Sequence, residues 1–196
     1  AMLLSMWMSA MSASPVRKLT VSKILSDKSV LFSSMASSSS SSSSDESIAI
    51  GSYSDGENHP SNFGQLYIET NENFSDNEQG FAAGFVEGYL TAERTYQHAY
   101  NMMCQVDCSG VAPPELKKFF AEQDLWVRQQ INENTATDDM WSFVFTLVQQ
   151  LDGLMAGYAA SDFGKENPMD PWSFTMVNAM GDLFDIIPAT TLSKRP

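Results

Sequence analysis

The chain has 196 residues, 43% of them hydrophobic and 11% aromatic, which is enough for one domain with a real core and too apolar for global disorder. Eleven Lys and Arg against 24 Asp and Glu leave a net charge of −13, which repels phosphate backbones and anionic lipid heads alike, so no nucleic-acid partner is expected. No cluster of Lys and Arg offsets that charge, and the two histidines, His59 and His98, stand apart from each other.

Residues 1–14 are apolar and Met-rich and close on Ser12, Ala13 and Ser14, as a secretory signal does, but they lack a basic leading region. They read either as a partial signal peptide or as a first strand behind an extraneous residue, and the domain proper runs over 15–196. Short β-like runs follow at 16–21, 29–32, 47–50 and 63–69. The unbroken serine run 37–44 has no apolar side chain to offset its ordering entropy, and it reads as a surface loop.

Ser52-Tyr53-Ser54-Asp55-Gly56 faintly resembles a nucleophile elbow, which needs a sharp strand-to-helix turn. The polar residues Glu57, Asn58, His59 and Pro60 come next, so the segment reads as a loop. Asn73-Phe74-Ser75 is a glycosylation sequon in a polar stretch.

The most telling pattern is a ladder of small residues, Gly80, Gly84, Gly88 and Ala92, on a helix predicted from Gly80 to Met103. Residues four apart stack on one helix face, so this face offers a groove for another backbone. Phe81, Phe85 and Tyr89 form a bulky stripe beside it. Glu87, Glu93 and Arg94 interrupt the apolar run, which excludes a membrane-spanning dimer helix, and no transmembrane anchor is expected.

Cys104 and Cys108 could join His98 around a metal, but a fourth ligand is missing and the spacing fits no standard zinc site. A local disulfide between Cys104 and Cys108 is the better reading, and it implies an oxidising compartment. No metal or cofactor is expected.

A second helix is predicted from Pro113-Pro114, with Leu116, Phe119, Phe120, Val127 and Ile131 on one side. The third, capped by Thr137 or Asp138, carries Met140, Val144, Leu147, Leu151, Leu154 and Tyr158 at spacings of three and four. The fourth starts at Asp170-Pro171 and runs through Trp172, Met176, Met180, Leu183 and Phe184 until Pro188 stops it. Asp182 and Asp185 on that helix are a carboxylate pair with no nucleophile nearby, and they read as a solvated edge. Strands first and helices afterwards indicate an α+β fold, and no complete catalytic set is visible.

Four blocks together resemble the phospholipase B-like (lamina ancestor) family. They are Gly-Phe-Val-Glu-Gly-Tyr-Leu-Thr-Ala at 84–92, Phe-Ala-Glu-Gln-Asp-Leu-Trp at 120–126, Gln-Gln-Leu-Asp-Gly-Leu at 149–154 and Asn-Ala-Met-Gly-Asp-Leu-Phe-Asp-Ile-Ile-Pro at 178–188. The resemblance implies an N-terminal-nucleophile hydrolase with an αββα sandwich, of which this chain supplies the N-terminal strands and several helices. It also implies a lysosomal or secreted glycoprotein, matured into two chains that stay together, that removes fatty acyl chains from phospholipids by cleaving carboxylic ester or related amide bonds. The family's nucleophile is a cysteine freed at the start of the second chain, between a Gly-His pair and a Ser. Neither Cys104 nor Cys108 has those neighbours, so no catalytic residue is assigned to this chain, and its expected partners are the C-terminal chain of the same precursor and a phospholipid or other acyl substrate. The competing reading is a noncatalytic acidic helical module that binds a protein through an exposed stripe at Met102 and Met103.

Overall fold

The computed structural model describes residues 16–24, 30–36, 47–55, 63–106 and 113–192. The signal-like segment 1–14, the serine run 37–44, His59 and Cys108 lie outside them.

Four strands, β1 (Arg17–Ile24), β2 (Val30–Ala36), β3 (Ala49–Ser54) and β4 (Gln65–Thr70), form one antiparallel sheet in the order β2-β1-β3-β4. Alternation along each strand sorts the side chains. Leu19 pairs across to Gly51 and Gly51 to Ile68, while Lys18 pairs to Ser52 and Ser52 to Tyr67. One face therefore gathers the buried Leu19, Val21, Ala49 and Tyr53, and the other carries Lys18, Thr20, Ser52 and Tyr67. All four predicted strand regions are strands. Ser52 and Ser54 lie within β3, though, so the expected loop at the elbow-like segment is corrected: the ladder to β4 runs on through Ser54–Gln65 and holds both serines in regular strand.

Helix α1 (Asp76–Leu90) starts four residues earlier than the glycine ladder because Ser75 and Glu78 close a capping box. The Ser75 N–H donates to the Glu78 carboxylate at 3.0 Å, and the Glu78 N–H donates to the Ser75 hydroxyl at 3.4 Å. Such a cap contributes about 1 kcal/mol. Phe81, Ala82, Phe85 and Val86 press onto Leu19, Val21, Ile48 and Ala49 in the principal core. Gly51 permits that approach, since a Cβ there would run into the Val86 side chain.

The single helix predicted to Met103 is two. α1 ends at Leu90, and the Thr91 hydroxyl folds back to donate to the Glu87 carbonyl at 2.7 Å, a local bond that competes with helix propagation. Ala92 thus opens α2 (Ala92–Val106) and is not a fourth rung of the α1 ladder.

α3 (Pro114–Asn134) and α4 (Asp139–Ala160) follow, the latter capped by Asp138, whose carboxylate accepts from the Met140 N–H at 2.9 Å. α4 lies along the glycine face of α1. Its expected apolar stripe is corrected in part: Tyr158 is buried and Val144, Leu151 and Leu154 are partly buried, but Met140 and Leu147 are exposed, and the other fully buried positions are Gly153 and Gly157. The α1 face is lined with glycine, so the helices approach backbone to backbone and large α4 side chains are displaced outward. On α3, Leu116 and Ile131 are buried as expected and Phe119 is exposed.

The chain closes with α5 (Asp162–Glu166), α6 (Pro171–Asn178) and α7 (Met180–Leu192). The fourth predicted helix is therefore split at Ala179, and Pro188 sits inside α7 instead of ending it. Proline deletes one helix N–H. Two residues on, the Thr190 hydroxyl donates to the Ile186 and Ile187 carbonyls at 3.0 and 3.1 Å, adding bonds to the helix just where the proline weakens it. Met102 and Met103 are partly buried against Leu116, Met176 and Leu183, which corrects the expectation of an exposed methionine stripe. The architecture is α+β, with α1 layered on the sheet and α4 layered on α1. No helix among the described residues is long and apolar enough to cross a membrane.

Candidate functional site

Most of the residues singled out in the sequence fall among the described ones. Cys104 is half-buried on α2, and His98 is exposed on the same helix. They are six positions apart, which turns them about 120° from each other at 3.6 residues per turn, so they do not share one helix face. No group of three or more metal-ligating side chains occurs among the described residues. Asp182 and Asp185 are both exposed, as expected of a solvated edge.

Asn73 is exposed in the turn between β4 and α1, where its N–H donates to the Asn71 side-chain oxygen at 3.0 Å. The sequon's Ser75 is the same residue that caps α1. The sequon triplet and the helix cap therefore overlap at Ser75, a coupling that the triplet alone does not reveal.

Two open concavities flank that turn. One, of about 510 Å³, is lined by Thr70, Asp76, Gln79, Ala83, Phe143 and Thr146 where β4, α1 and α4 meet. The Thr146 hydroxyl in it donates to the Asn77 side-chain oxygen at 3.0 Å. The other, of about 350 Å³, lies at the end of the β3–β4 pair beside Ser47, Glu69, Asn71 and Asn73. Neither lining contains a cysteine or a histidine; the first holds Ser142 with Asp76 and Asp139, the second Ser47 with Glu69 and Glu72.

Two arginines tie the helices to their surroundings, and the sequence reading missed both. Arg94 on α2 donates to both carboxylate oxygens of Asp55, just past β3, at 2.7 and 2.8 Å. Arg128 on α3 holds both oxygens of Asp152 on α4 at 3.0 and 2.8 Å and reaches Asp124 through Nε. Hydrogen bonds to Asp55 and Asp152 hold the two guanidiniums above their ordinary pKa. The scarcity of cations in so acidic a chain was the available signal, since each Arg or Lys has many candidate carboxylates. Glu87 on α1 is half-buried, and burial raises its carboxyl above the usual range. Burial likewise pushes the Tyr158 phenol up to about 12, and its hydroxyl donates to the Asn167 carbonyl at 2.6 Å.

Close approaches and ion pairs that set this frame fall in three of the four sequence blocks: Gly84 and Gly88 in the first, Asp124 in the second, Asp152 and Gly153 in the third. The family model described as Phospholipase B matches residues 49–196, from β3 through α7. The chain belongs to the phospholipase B family.

Individual relatives agree with that assignment. A phospholipase-B 81 from Drysdalia coronoides is 38% identical over 116 residues, covering 59% of this chain and 21% of that protein. A phospholipase B from Crotalus adamanteus is 34% identical over 145 residues, covering 72% of this chain and 26% of that one. Human phospholipase B-like 1 is 33% identical over 115 residues, covering 58% and 21%. This phospholipase B family chain thus spans about a quarter of the length of the curated relatives it matches.

Proposed function

We propose that this chain is the N-terminal part of a phospholipase B-like hydrolase that releases fatty acyl chains from phospholipids, and that the cysteine nucleophile is supplied by a later part of the same precursor. The observation that carries this is the family match over residues 49–196; two concavities among the described residues are without a cysteine, which fits it. Ester or amide hydrolysis in this family reading needs a cysteine nucleophile, and neither lining holds a cysteine.

The sheet supports the same reading. β2 and β4 end the strand order, and β4 carries exposed Leu66 and Tyr67 without a proline to blunt its edge. The polar face with Lys18, Thr20 and Ser52 has no helix packed on it among the described residues. In our reading that face and those edges receive the second layer of an αββα N-terminal-nucleophile sandwich, contributed by the C-terminal chain. The protein would act in a lysosomal or secreted setting, with Asn73 glycosylated and Cys104 bonded to Cys108.

The test is fatty-acid release from phosphatidylcholine vesicles, measured on this chain and on the full-length precursor that contains it. The precursor should release fatty acid, and the 196-residue chain should release none. Turnover by the short chain would overturn the proposal, as would a precursor that remains active after every downstream cysteine has been replaced.

A further inference from the structure

We infer that Leu125 and Trp126 on α3, with Met140, Phe143 and Leu147 on α4, form a docking face for the remainder of the phospholipase B polypeptide, and that the segment seated there has an apolar centre and a basic rim. This rests on the reading that the chain works as part of a longer hydrolase.

The first observation is the way α3 is held. Leu116 near its start and Ile131 near its end are buried, yet residues 121–126 are all exposed. Six consecutive helical residues make more than one and a half turns, so in that stretch every side of the helix faces solvent. Helices of this kind owe most of their stability to tertiary packing, and a solvated one should present polar residues all round. Here Leu125 is 68% exposed and Trp126 is 51% exposed.

The patch continues onto α4. The Trp126 ring meets the Trp141 ring edge-on at 5.8 Å, joining the two helices. Met140, Phe143 and Leu147 repeat at spacings of three and four along α4, and all three are exposed. Phe143 also walls the 510 Å³ concavity beside Gly80 and Ala83, so apolar knobs adjoin a hollow that can receive a side chain from a covering segment. Large exposed apolar side chains gathered on two packed helices mark an interaction site.

Charge and chain length identify the occupant. Glu122, Asp124, Asp138 and Asp139 are exposed around the patch; Lys118 and Arg128 already pair with Glu122 and Asp124, so the excess negative charge beside it comes from Asp138 and Asp139, in a chain of net charge −13. A second copy would bring the same acidic rim against itself, and an anionic bilayer would be repelled, whereas a segment with Lys or Arg flanking apolar residues matches both parts. The relatives are about four times as long as the region matched here, which leaves ample polypeptide to supply that segment.

The experiment is maleimide labelling of Leu125→Cys and, separately, Phe143→Cys, with the modified peptide identified by mass, in the 196-residue chain and in the full-length precursor. Labelling should be fast in the short chain and slowed at least about tenfold in the precursor, the protection expected of a buried position. Slow amide exchange over residues 121–126 in the precursor tests the same burial without using the short chain. Equal labelling in a precursor that still hydrolyses phospholipid overturns the docking face and leaves the functional reading standing. Protected thiols in a precursor with no hydrolase activity do the reverse. Protection of the short chain by phosphatidylcholine vesicles, with the precursor left reactive, would make the patch a lipid-contacting surface and overturn the inference.

Discussion

Gly84 of α1 lies so close under the Gln150 carbonyl of α4 that a Cβ at that position would overlap the oxygen, and Gly153 of α4 stands in the same relation to the Phe81 carbonyl of α1. Gly88 and Gly157 repeat the arrangement one turn on, against Leu154 and Phe85. The two ladders interlock, and each glycine is small because the opposing main chain occupies the space of its side chain.

Gly84→Ala should therefore destabilise the fold. Overpacking a core costs about 1–3 kcal/mol when neighbouring side chains can yield. At Gly84 the obstacle is backbone, so the loss should reach or exceed the top of that range, far outweighing the ~1 kcal/mol that alanine gains over glycine in a helix. Gly181→Ala is the internal control, because nothing lies within 4 Å of its Cβ position and the propensity gain should appear alone. Urea or thermal melts of the two variants should move in opposite directions. A Gly84→Ala protein that melts like its parent would refute the interlock.

Much of this frame was legible in advance. The four-residue spacing of Gly80, Gly84 and Gly88 announced a close backbone contact, and Asp138, Asp170 and Pro171 marked helix starts by their capping chemistry, whereas the Ser75–Glu78 capping box was passed over. The partner ladder, Gly153 and Gly157, shows the same spacing, but it sat inside a run of large apolar residues that drew attention to Leu147 and Leu151 instead. Helix breaks at Thr91 and Ala179 were hidden because neither position carries proline or glycine, and what ends the helices there is local bonding and tertiary packing. At Pro188 the opposite happened: a strong breaker was absorbed into α7. Of the candidate site, Asn73 was readable as a triplet, whereas Asp55–Arg94 and Arg128–Asp152 join residues 39 and 24 apart, and no local pattern records such pairs.

Arg128→Ala should loosen α3 without melting the sheet. Its guanidinium is shared between Asp124 four residues back and Asp152 across on α4, and the Asp152 side chain is only 12% exposed. Removing the cation strips that carboxylate of its two guanidinium bonds where little water can replace them, and hydrogen bonds to charged groups are worth about 1.5–3 kcal/mol. Arg128→Lys should recover little, since one ammonium cannot reproduce two parallel N–H···O bonds. Hydrogen exchange of the α3 amides should accelerate in both variants while the β1 and β3 amides keep their protection. Uniform acceleration across the chain would show that the pair supports global stability instead.

Glu87 gives the protein a pH dependence of definite sign. Burial raises its carboxyl, so the folded state holds the proton at pH values where the unfolded chain has already released it. Its contribution to stability is fully present below the ordinary Glu pKa and is lost as pH rises through the raised folded value. Glu87→Gln, which keeps the shape and removes the charge, should raise the melting temperature at pH 7 and leave it nearly unchanged at pH 4. The gap between variant and parent should therefore widen with pH over the acid range. A gap that is flat with pH would show that Glu87 is solvated in both states.

Asp55→Asn should uncouple α2 from the end of β3. Arg94 donates to Asp55 at 2.7 and 2.8 Å and to Gln97 at 2.8 Å, so the guanidinium fixes the first turn of α2 against the sheet just beyond the break at Thr91. Asparagine retains one acceptor but loses the charge, and the Asp55 side chain is partly screened by solvent at 25% exposure, which places the expected cost near ~1 kcal/mol. The same change should be muted at 1 M salt, where the Debye length falls to about 3 Å and an exposed ion pair contributes less. The packing of Ala92 with Tyr158 and Phe174 lies just beyond this pin. Loss of the pin should therefore also show as altered near-ultraviolet dichroism of Tyr158, whereas an unchanged spectrum and melt at low salt would mean that α2 is positioned by apolar contacts alone.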